Sequence, residues 1–111
     1  MNKLEREIQA KLLPVIAKSH KIKWVDRSNS GKVKVKGGWM QLHEKGTADL
    51  IGMSTTGRFL GFETKTPENY KKKDHGRNED QIAWAEMINS GGGLAGCYCD
   101  IETLNEILEM I

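Results

Sequence analysis

Residues 46–66 read GTADLIGMSTTGRFLGFETKT, and this stretch decides the fold. Two runs rich in apolar residues flank the turn-forming Thr55-Thr56-Gly57, a pattern typical of a β-hairpin. Pairing of the two strands would bring Asp49, at the start of the first run, close to Glu63, at the end of the second. Charged side chains in such apolar strands are costly unless they are paired or bind a metal ion. The stretch therefore predicts a hairpin whose open end carries chemistry.

The candidate catalytic residues of this hairpin are Asp49, Glu63 and Lys65. Two carboxylates can share a hard divalent cation such as Mg²⁺ or Mn²⁺, with the Thr64 backbone carbonyl as a further ligand. Lys65 lies two residues beyond Glu63, so strand alternation places both side chains on the same face. There Lys65 can orient or deprotonate a water molecule and stabilise charge that develops on a phosphate. For the triplet taken alone, a strand-end ion pair between Glu63 and Lys65 is the alternative.

Further segments complete a pattern around this triplet and together span nearly the whole chain. They are Glu5-Arg6-Glu7-Ile8-Gln9, Arg27-Ser28-Asn29-Ser30-Gly31, Gly46 to Gly52, Glu63-Thr64-Lys65, Asp80-Gln81-Ile82-Ala83-Trp84 and Gly91-Gly92-Gly93. In this order they resemble the virus-type replication-repair nuclease (VRR-NUC) domain, a branch of the PD-(D/E)xK nuclease superfamily. One departure is Thr64, since the family has an aliphatic residue between the acid and the lysine.

The resemblance implies an α/β fold with a restriction-endonuclease-like PD-(D/E)xK core, a mixed central β-sheet flanked by helices, in one domain over residues 1–111. It implies a Mg²⁺- or Mn²⁺-dependent endonuclease that hydrolyses branched or structured DNA, as a Holliday-junction resolvase does. Glu5 fits the family's acidic helix position better than Glu7, as a metal ligand held directly or through water. Gln81 matches the family's glutamine and would hydrogen-bond Lys65 or the scissile phosphate.

Assembly and biological setting follow from the same resemblance. A small chain has one active site, whereas resolving a junction needs two coordinated cuts, so a two-fold homodimer is expected. The implied setting is phage or prophage replication, recombination or repair. Two alternatives stay open: a non-catalytic module of the same fold that binds structured DNA, and a sequence-specific restriction-type endonuclease.

Basic residues are concentrated in the first two thirds of the chain. All 17 Lys and Arg residues precede position 78, and 7 of the 15 acidic residues follow it, although the net charge is only +2. This asymmetry predicts a face that binds a polyanion such as DNA. The residues expected to contact phosphates are Arg27, Ser28, Lys32, Lys34, Lys36, Lys45, Lys71, Lys72, Lys73 and Arg77.

Apolar periodicity predicts the remaining elements. A helix is expected over residues 3–18, kinked or divided at Pro14, with one apolar face formed by Leu4, Ile8, Leu12, Val15 and Ile16. The other expected elements are a strand over 21–27, a hairpin with strands at 32–36 and 39–42, a polar loop from 67 to 77, a helix over 79–90, a strand over 94–99 and a closing helix that Asp100 caps. The alternating lysines of the 32–42 hairpin either lie against phosphates or are simply solvated.

Cys97 and Cys99 alternate along the expected 94–99 strand, which favours two buried small residues over a disulfide bridge or a metal site. The three tryptophans are expected to anchor the core or an interface, with Trp39 the best candidate for stacking on a base. The chain has neither an apolar run of membrane-spanning length nor a signal-peptide pattern, so the expected location is the cytoplasm, or the host cytoplasm if phage-encoded.

Overall fold

A computed structural model describes residues 1–28, 32–41 and 45–111 of the chain. Residues 29–31, which belong to the Arg27-to-Gly31 segment, lie outside the described residues, as do the side chains of Lys32, Lys34 and Trp39. The elements are α1 (Lys3–Lys18), β1 (Ile22–Arg27), β2 (Lys32–Val35), β3 (Gly38–Gln41), β4 (Leu50–Ser54), β5 (Phe59–Thr64), α2 (Pro67–Tyr70), a 3₁₀ turn (Lys73–Gly76), α3 (Glu79–Ser90), β6 (Leu94–Tyr98) and α4 (Ile101–Glu109).

Four of the strands form one mixed sheet in the order β1-β4-β5-β6. The β1–β4 and β4–β5 pairs are antiparallel, whereas β6 runs parallel to β5 after the α3 crossover. Strands β2 and β3 form a separate antiparallel hairpin. The expected α/β architecture, a mixed sheet flanked by helices, is therefore confirmed.

The hydrophobic core lies on the face of the sheet that α1 and α4 cover. The sheet contributes fully buried side chains from its central strands and from β6, and the two helices add a short apolar stripe each. These residues are Leu12, Ile16, Ile22, Leu50, Leu60, Phe62, Tyr98, Leu104 and Ile107. Helix α3 lies on the opposite face, where the Trp84 ring meets Phe59 edge-on at 6.2 Å between centroids.

Helix α1 is continuous through Pro14, so it is not divided there, and its buried face differs from the sequence prediction. Pro14 is exposed, whereas Leu12 and Ile16 on either side are buried in the core. The amide hydrogen bond that proline removes is thus lost on the solvent side. Leu4 and Val15, expected on the buried face, are 48% and 37% exposed, and Gln9 is buried in that face instead.

The segment between β5 and α3 is more regular than the expected polar loop. Thr66 caps α2 by accepting a hydrogen bond from the Asn69 amide at 3.1 Å, and Pro67 occupies the first turn, where it needs no backbone donor. The 3₁₀ turn follows, with Asp74 and His75 in the left-handed region at φ 54° and 56°. The His75 ring stacks on Tyr70 at 4.1 Å and holds this unfavourable turn.

Cys97 and Cys99 are both buried and free, as alternation predicts. Trp84 is a core anchor, as expected, whereas Trp24 on β1 is 45% exposed. Within the described ranges, the structure contains no helix long and apolar enough to cross a membrane.

Candidate active site

The open end of the β4–β5 hairpin brings the two predicted carboxylates together. The last strand pair is Leu50 with Phe62, so Asp49 and Glu63 lie one step beyond it on neighbouring strands. The Thr64 amide donates to Asp49 Oδ2 at 2.9 Å, which fixes the orientation of that carboxylate. Asp49 is half-buried, and Glu63 is only 8% exposed.

Glu63 has the most perturbed acidity in the site. Burial, the negative charge of Asp49 and a hydrogen bond with Asp49 together raise the pKa of Glu63 from 4.5 to about 9. Lys65 lowers the pKa of Glu63, but by less. Two carboxyl groups held this close share a proton unless a cation neutralises them. The pair is therefore electrostatically suited to a divalent ion.

Lys65 and Gln81 complete this side of the site. Lys65 Nζ donates to Gln81 Oε1 at 3.4 Å, and Gln81 Nε2 donates to Glu63 Oε1 at 3.4 Å. Gln81 is fixed in turn by the capping box of α3, in which its Oε1 accepts from the Asn78 amide at 3.0 Å. The amide thus separates and orients the lysine and the acid.

Of the two candidate acids on α1, Glu5 is the one whose charge affects the site. It is half-buried, hydrogen-bonds Asn2 Nδ2 at 3.1 Å, and its charge contributes to the raised pKa of Glu63. Glu7 is exposed. The geometry favours Glu5 as an outer acid of the site.

A buried polar chain lies on the opposite face of β5 from Glu63 and Lys65. Gln9 Nε2 donates to Thr64 Oγ1 at 3.4 Å, and Thr64 Oγ1 lies 2.7 Å from the Tyr98 hydroxyl. At the other end, Arg27 Nε donates to Gln9 Oε1 at 3.0 Å. Thr64 and Tyr98 are 0% exposed, so the chain reaches from the core to the surface at Arg27.

Ser28 braces the backbone rather than facing the pocket. Its amide donates to the Asp49 carbonyl at 2.8 Å, and its hydroxyl donates to the Ala48 carbonyl at 2.6 Å. Since the one hydroxyl proton is already used, Ser28 has none to give a phosphate in this arrangement. Of the expected Arg27–Ser28 clamp, Arg27 is the member with donors to offer.

An open polar pocket of about 370 Å³ lies over the carboxylate pair. Its lining is Lys45, Gly46, Thr47, Asp49, Glu63, Asn78, Asp80 and Gln81. Gly46 is what lets the chain pass so close to α3: its φ is +86°, and a Cβ there would lie 2.1 Å from the Asp80 carbonyl oxygen. A side chain at this position would push the segment that precedes β4 away from the start of α3.

The donor set suits a hard cation with few protein ligands. Among the described residues, no three of the His, Cys, Asp and Glu side chains converge closely enough to form a metal cage. Mg²⁺ keeps several waters and is commonly held by one or two carboxylates. Asp49 and Glu63, with the Thr64 carbonyl, meet that requirement.

Comparison with protein-family models, with curated proteins and with solved structures finds no match for this chain. The functional assignment must therefore rest on the residues and their geometry.

The basic residues expected to bind DNA fall into two groups. Lys45 and Arg77 line the clefts around Glu63, and Arg27 lies beside the Asp49 backbone. Lys36, Lys71, Lys72 and Lys73 are exposed, and they are not among the residues that line these clefts. The structure does not describe the side chains of Lys32 and Lys34, so their role stays a prediction.

Sequence reasoning missed three contributors to the site: Gln9, Asn78 and Tyr98. Asn78 carries a recognisable signal, since Asn-x-x-Gln before a helix is a capping-box pattern. Gln9 belongs to the Glu5-to-Gln9 segment of the resemblance, and the signal that could have identified it is a glutamine inside the apolar stripe of α1. Tyr98 has no local signal, because its role depends on β6 pairing beside β5.

Proposed function

We propose that the chain is a metal-dependent DNA endonuclease of the virus-type replication-repair class, acting on branched or structured DNA. The observation that carries the proposal is that Asp49, Glu63 and Gln81 line one open polar pocket, and that Lys65 is joined to them by its hydrogen bond to Gln81. The mixed sheet flanked by helices is compatible with a PD-(D/E)xK core and supports the same assignment.

In this proposal Asp49, Glu63 and the Thr64 carbonyl hold Mg²⁺ or Mn²⁺, with Glu5 acting through water. The ion supplies charge neutralisation at the phosphate and activates a bound water. Lys65, whose side chain lies on the face that Glu63 shares, would either orient the water and stabilise charge on the phosphate as an ammonium, or take the proton of the water as a neutral amine. Gln81 fixes the positions of the Lys65 and Glu63 side chains by hydrogen-bonding both.

The test is nicking of labelled four-way junction, flap and duplex DNA with Mg²⁺, with Mn²⁺ and in EDTA. The wild type is expected to cut in either metal, and Lys65→Ala is expected to lose cleavage. Lys23→Ala is the matched control, because Lys23 is an exposed cation of β1. Equal cleavage by wild type and Lys65→Ala would reject the catalytic assignment.

The same assay separates the alternatives. A non-catalytic module would bind junction DNA without metal and would show no turnover in either metal. A restriction-type enzyme would cut duplexes of random sequence at fixed sites, whereas a structure-selective enzyme would cut at the branch.

We also propose that two chains associate as a two-fold homodimer, which would supply the two cuts that junction resolution needs. One supporting feature is an apolar row across the sheet: Trp24 pairs with Met53, and Met53 pairs with Phe59. Trp24 and Phe59 are 45% and 40% exposed on this row. Sedimentation velocity at micromolar concentration is the test, and a chain that stays monomeric would remove the idea.

A further inference from the structure

Gln9 is an unusual residue for its position. It lies in the buried stripe of α1 together with Leu12 and Ile16, and only 4% of its surface is exposed. A buried amide is costly unless its hydrogen bonds are made. Here both ends are used, since Nε2 donates to Thr64 Oγ1 and Oε1 accepts from Arg27 Nε.

The chain of contacts holds one edge of the Arg27 guanidinium. Thr64 is anchored at its hydroxyl by Tyr98, at 2.7 Å, and at its amide by Asp49, at 2.9 Å. Gln9 therefore joins Arg27 to a residue that is fixed on both sides. The described hydrogen bonds of the Arg27 side chain use only Nε. Its two terminal amino groups keep the donors that bind a phosphate in a fork.

Strand alternation decides which side of the site Arg27 occupies. The Thr64 side chain faces α1, where it contacts Gln9, whereas Glu63 and Lys65 face α3, where they contact Gln81. Arg27, on β1, and Lys65, after β5, thus lie on opposite faces of the sheet at the end that carries Asp49 and Glu63. A DNA strand that crosses this end of the sheet passes both side chains, so a backbone phosphate other than the scissile one is available to Arg27.

We propose that Arg27 is a second phosphate-binding fork on the α1 face and that Gln9 is the positioning residue that aims it. The proposal rests on the proposed nuclease function for its substrate, and it extends that function to a particular pair of residues. Thr64, where the VRR-NUC pattern has an aliphatic residue, is what allows the chain to continue from Tyr98 to Gln9. Arg27 touches the phosphate, whereas Gln9 acts only through Arg27.

The experiment measures binding without cleavage. Junction DNA is titrated in EDTA by fluorescence anisotropy at several salt concentrations, for wild type, Gln9→Met, Arg27→Gln, the double variant and Lys23→Gln. Loss of one phosphate contact lowers the slope of log affinity against log salt by about 0.9. Arg27→Gln is expected to show that drop and to weaken binding about tenfold.

Gln9→Met keeps the volume of the side chain and removes its acceptor. It is expected to weaken binding nearly as much as Arg27→Gln, and the double variant is expected to lose no more than Arg27→Gln alone. Lys23→Gln removes a charge from the same strand without changing the Gln9–Arg27 hydrogen bond. Its effect on DNA affinity is therefore expected to add to that of Gln9→Met. Additive losses in the Gln9→Met/Arg27→Gln pair would overturn the proposal.

A second measurement follows the Arg27 side chain directly, and its first readout is the response of the wild-type protein. The Arg27 Nε–H resonance, assigned by its loss in Arg27→Lys, is followed by ¹⁵N-edited NMR during titration with inorganic phosphate. It is expected to shift with phosphate in the wild type and in Lys23→Gln, and to lose that response in Gln9→Met. An unresponsive wild-type resonance, or a response that survives in Gln9→Met, would overturn the proposal. If Arg27 and Gln9 behave as expected while no metal supports cleavage, the nuclease function fails and the phosphate fork stands.

Discussion

At its closed end the β4–β5 hairpin satisfies its polar groups, whereas at its open end it crowds two carboxylates together. Ser54 Oγ accepts from the Arg58 amide at 3.0 Å and lies 2.9 Å from Thr56 Oγ1. The Arg58 guanidinium donates to the carbonyls of Gly92, Gly93 and Met110. At the other end, burial and Asp49 oppose ionisation of Glu63.

The two ends of this one hairpin serve different purposes: the contacts of the closed end stabilise the fold, and the residues of the open end form the candidate site. The closed end ties β5 to the start of β6 and to the end of α4, so its contacts stabilise the folded chain. The open end keeps an acid buried beside another acid, which lowers stability and suits the site for a cation. A substitution at the closed end should therefore lower stability and leave activity unchanged, whereas removal of an acid at the open end should lower activity and raise stability.

The largest expected effect comes from Glu63→Gln. Removing this charge should lower metal-dependent cleavage by about 10³-fold, because the divalent ion loses a ligand. The same change should raise the free energy of unfolding of the metal-free protein at pH 7 by on the order of 2 kcal/mol, since a neutral amide avoids the cost of protonating the Glu63 carboxylate when the chain folds. Cleavage kinetics and urea unfolding in EDTA measure the two quantities. A variant that is both inactive and less stable than wild type would contradict the comparison.

The second prediction concerns pH. The pKa of Glu63 is about 9 in the folded state against an ordinary value of 4.5, so the folded chain keeps a proton that the unfolded chain releases within this interval. Stability from this group is complete below pH 4.5 and is lost as pH rises through 9. The limiting slope is about 1.4 kcal/mol per pH unit.

Urea unfolding between pH 5.5 and pH 8.5 in EDTA measures this slope. The slope is expected to flatten in Glu63→Gln, and also in wild type with Mg²⁺, which holds the ionised form. A wild type whose stability rises with pH through this interval relative to Glu63→Gln would refute the assignment of the proton to this site.

Two glycines offer a matched pair for the third prediction. Gly46, beside the open end, and Gly57, in the turn, have φ of +86° and +88°, so alanine at either position strains the backbone by about 1–2 kcal/mol. A Cβ at Gly57 would meet no atom within 4 Å, whereas one at Gly46 would meet the Asp80 carbonyl at 2.1 Å. Gly46→Ala should therefore destabilise by more than about 3 kcal/mol and reduce cleavage, while Gly57→Ala should leave cleavage intact. Thermal unfolding and cleavage rates of the two variants measure this difference. Equal values for the two would show that the close contact between Gly46 and α3 contributes neither to stability nor to cleavage.

The open end could be predicted from the sequence because hairpin register is local. Once the turn lies around Gly57, alternation and strand length bring Asp49 and Glu63 to the same end. The sequence likewise predicts the start of α3 at Glu79, since acidic residues in the first turn signal a helix N-terminus.

The polar chain behind the site could not be predicted in this way. Gln9 and Thr64 are 55 residues apart, and their contact depends on how α1 crosses the sheet, which periodicity does not specify. The same limit applies to α1 itself: a 3.6-residue stripe places Leu4 and Val15 on one face, but both side chains are largely exposed once the helix packs on the sheet. Local patterns thus set the elements, and packing between elements chose which side chains were buried.

The smallest expected effect is at the closed end, in Arg58→Met. Methionine keeps much of the apolar stem but removes three charged hydrogen bonds to the Gly92, Gly93 and Met110 carbonyls. Because these donors are half-exposed and water can replace them in part, the expected loss of unfolding free energy is about 2 kcal/mol. Arg6→Met is the matched control, since Arg6 is exposed and its described side-chain bond is to one carbonyl, that of Met1. Urea unfolding of the two variants, with cleavage rates expressed per folded molecule, measures the difference. Because Arg58 lies at the far end of the hairpin from Glu63, its loss should leave the cleavage rate per folded molecule unchanged. If that rate instead falls as far as it does in Glu63→Gln, the two ends are coupled through β5 and do not act separately.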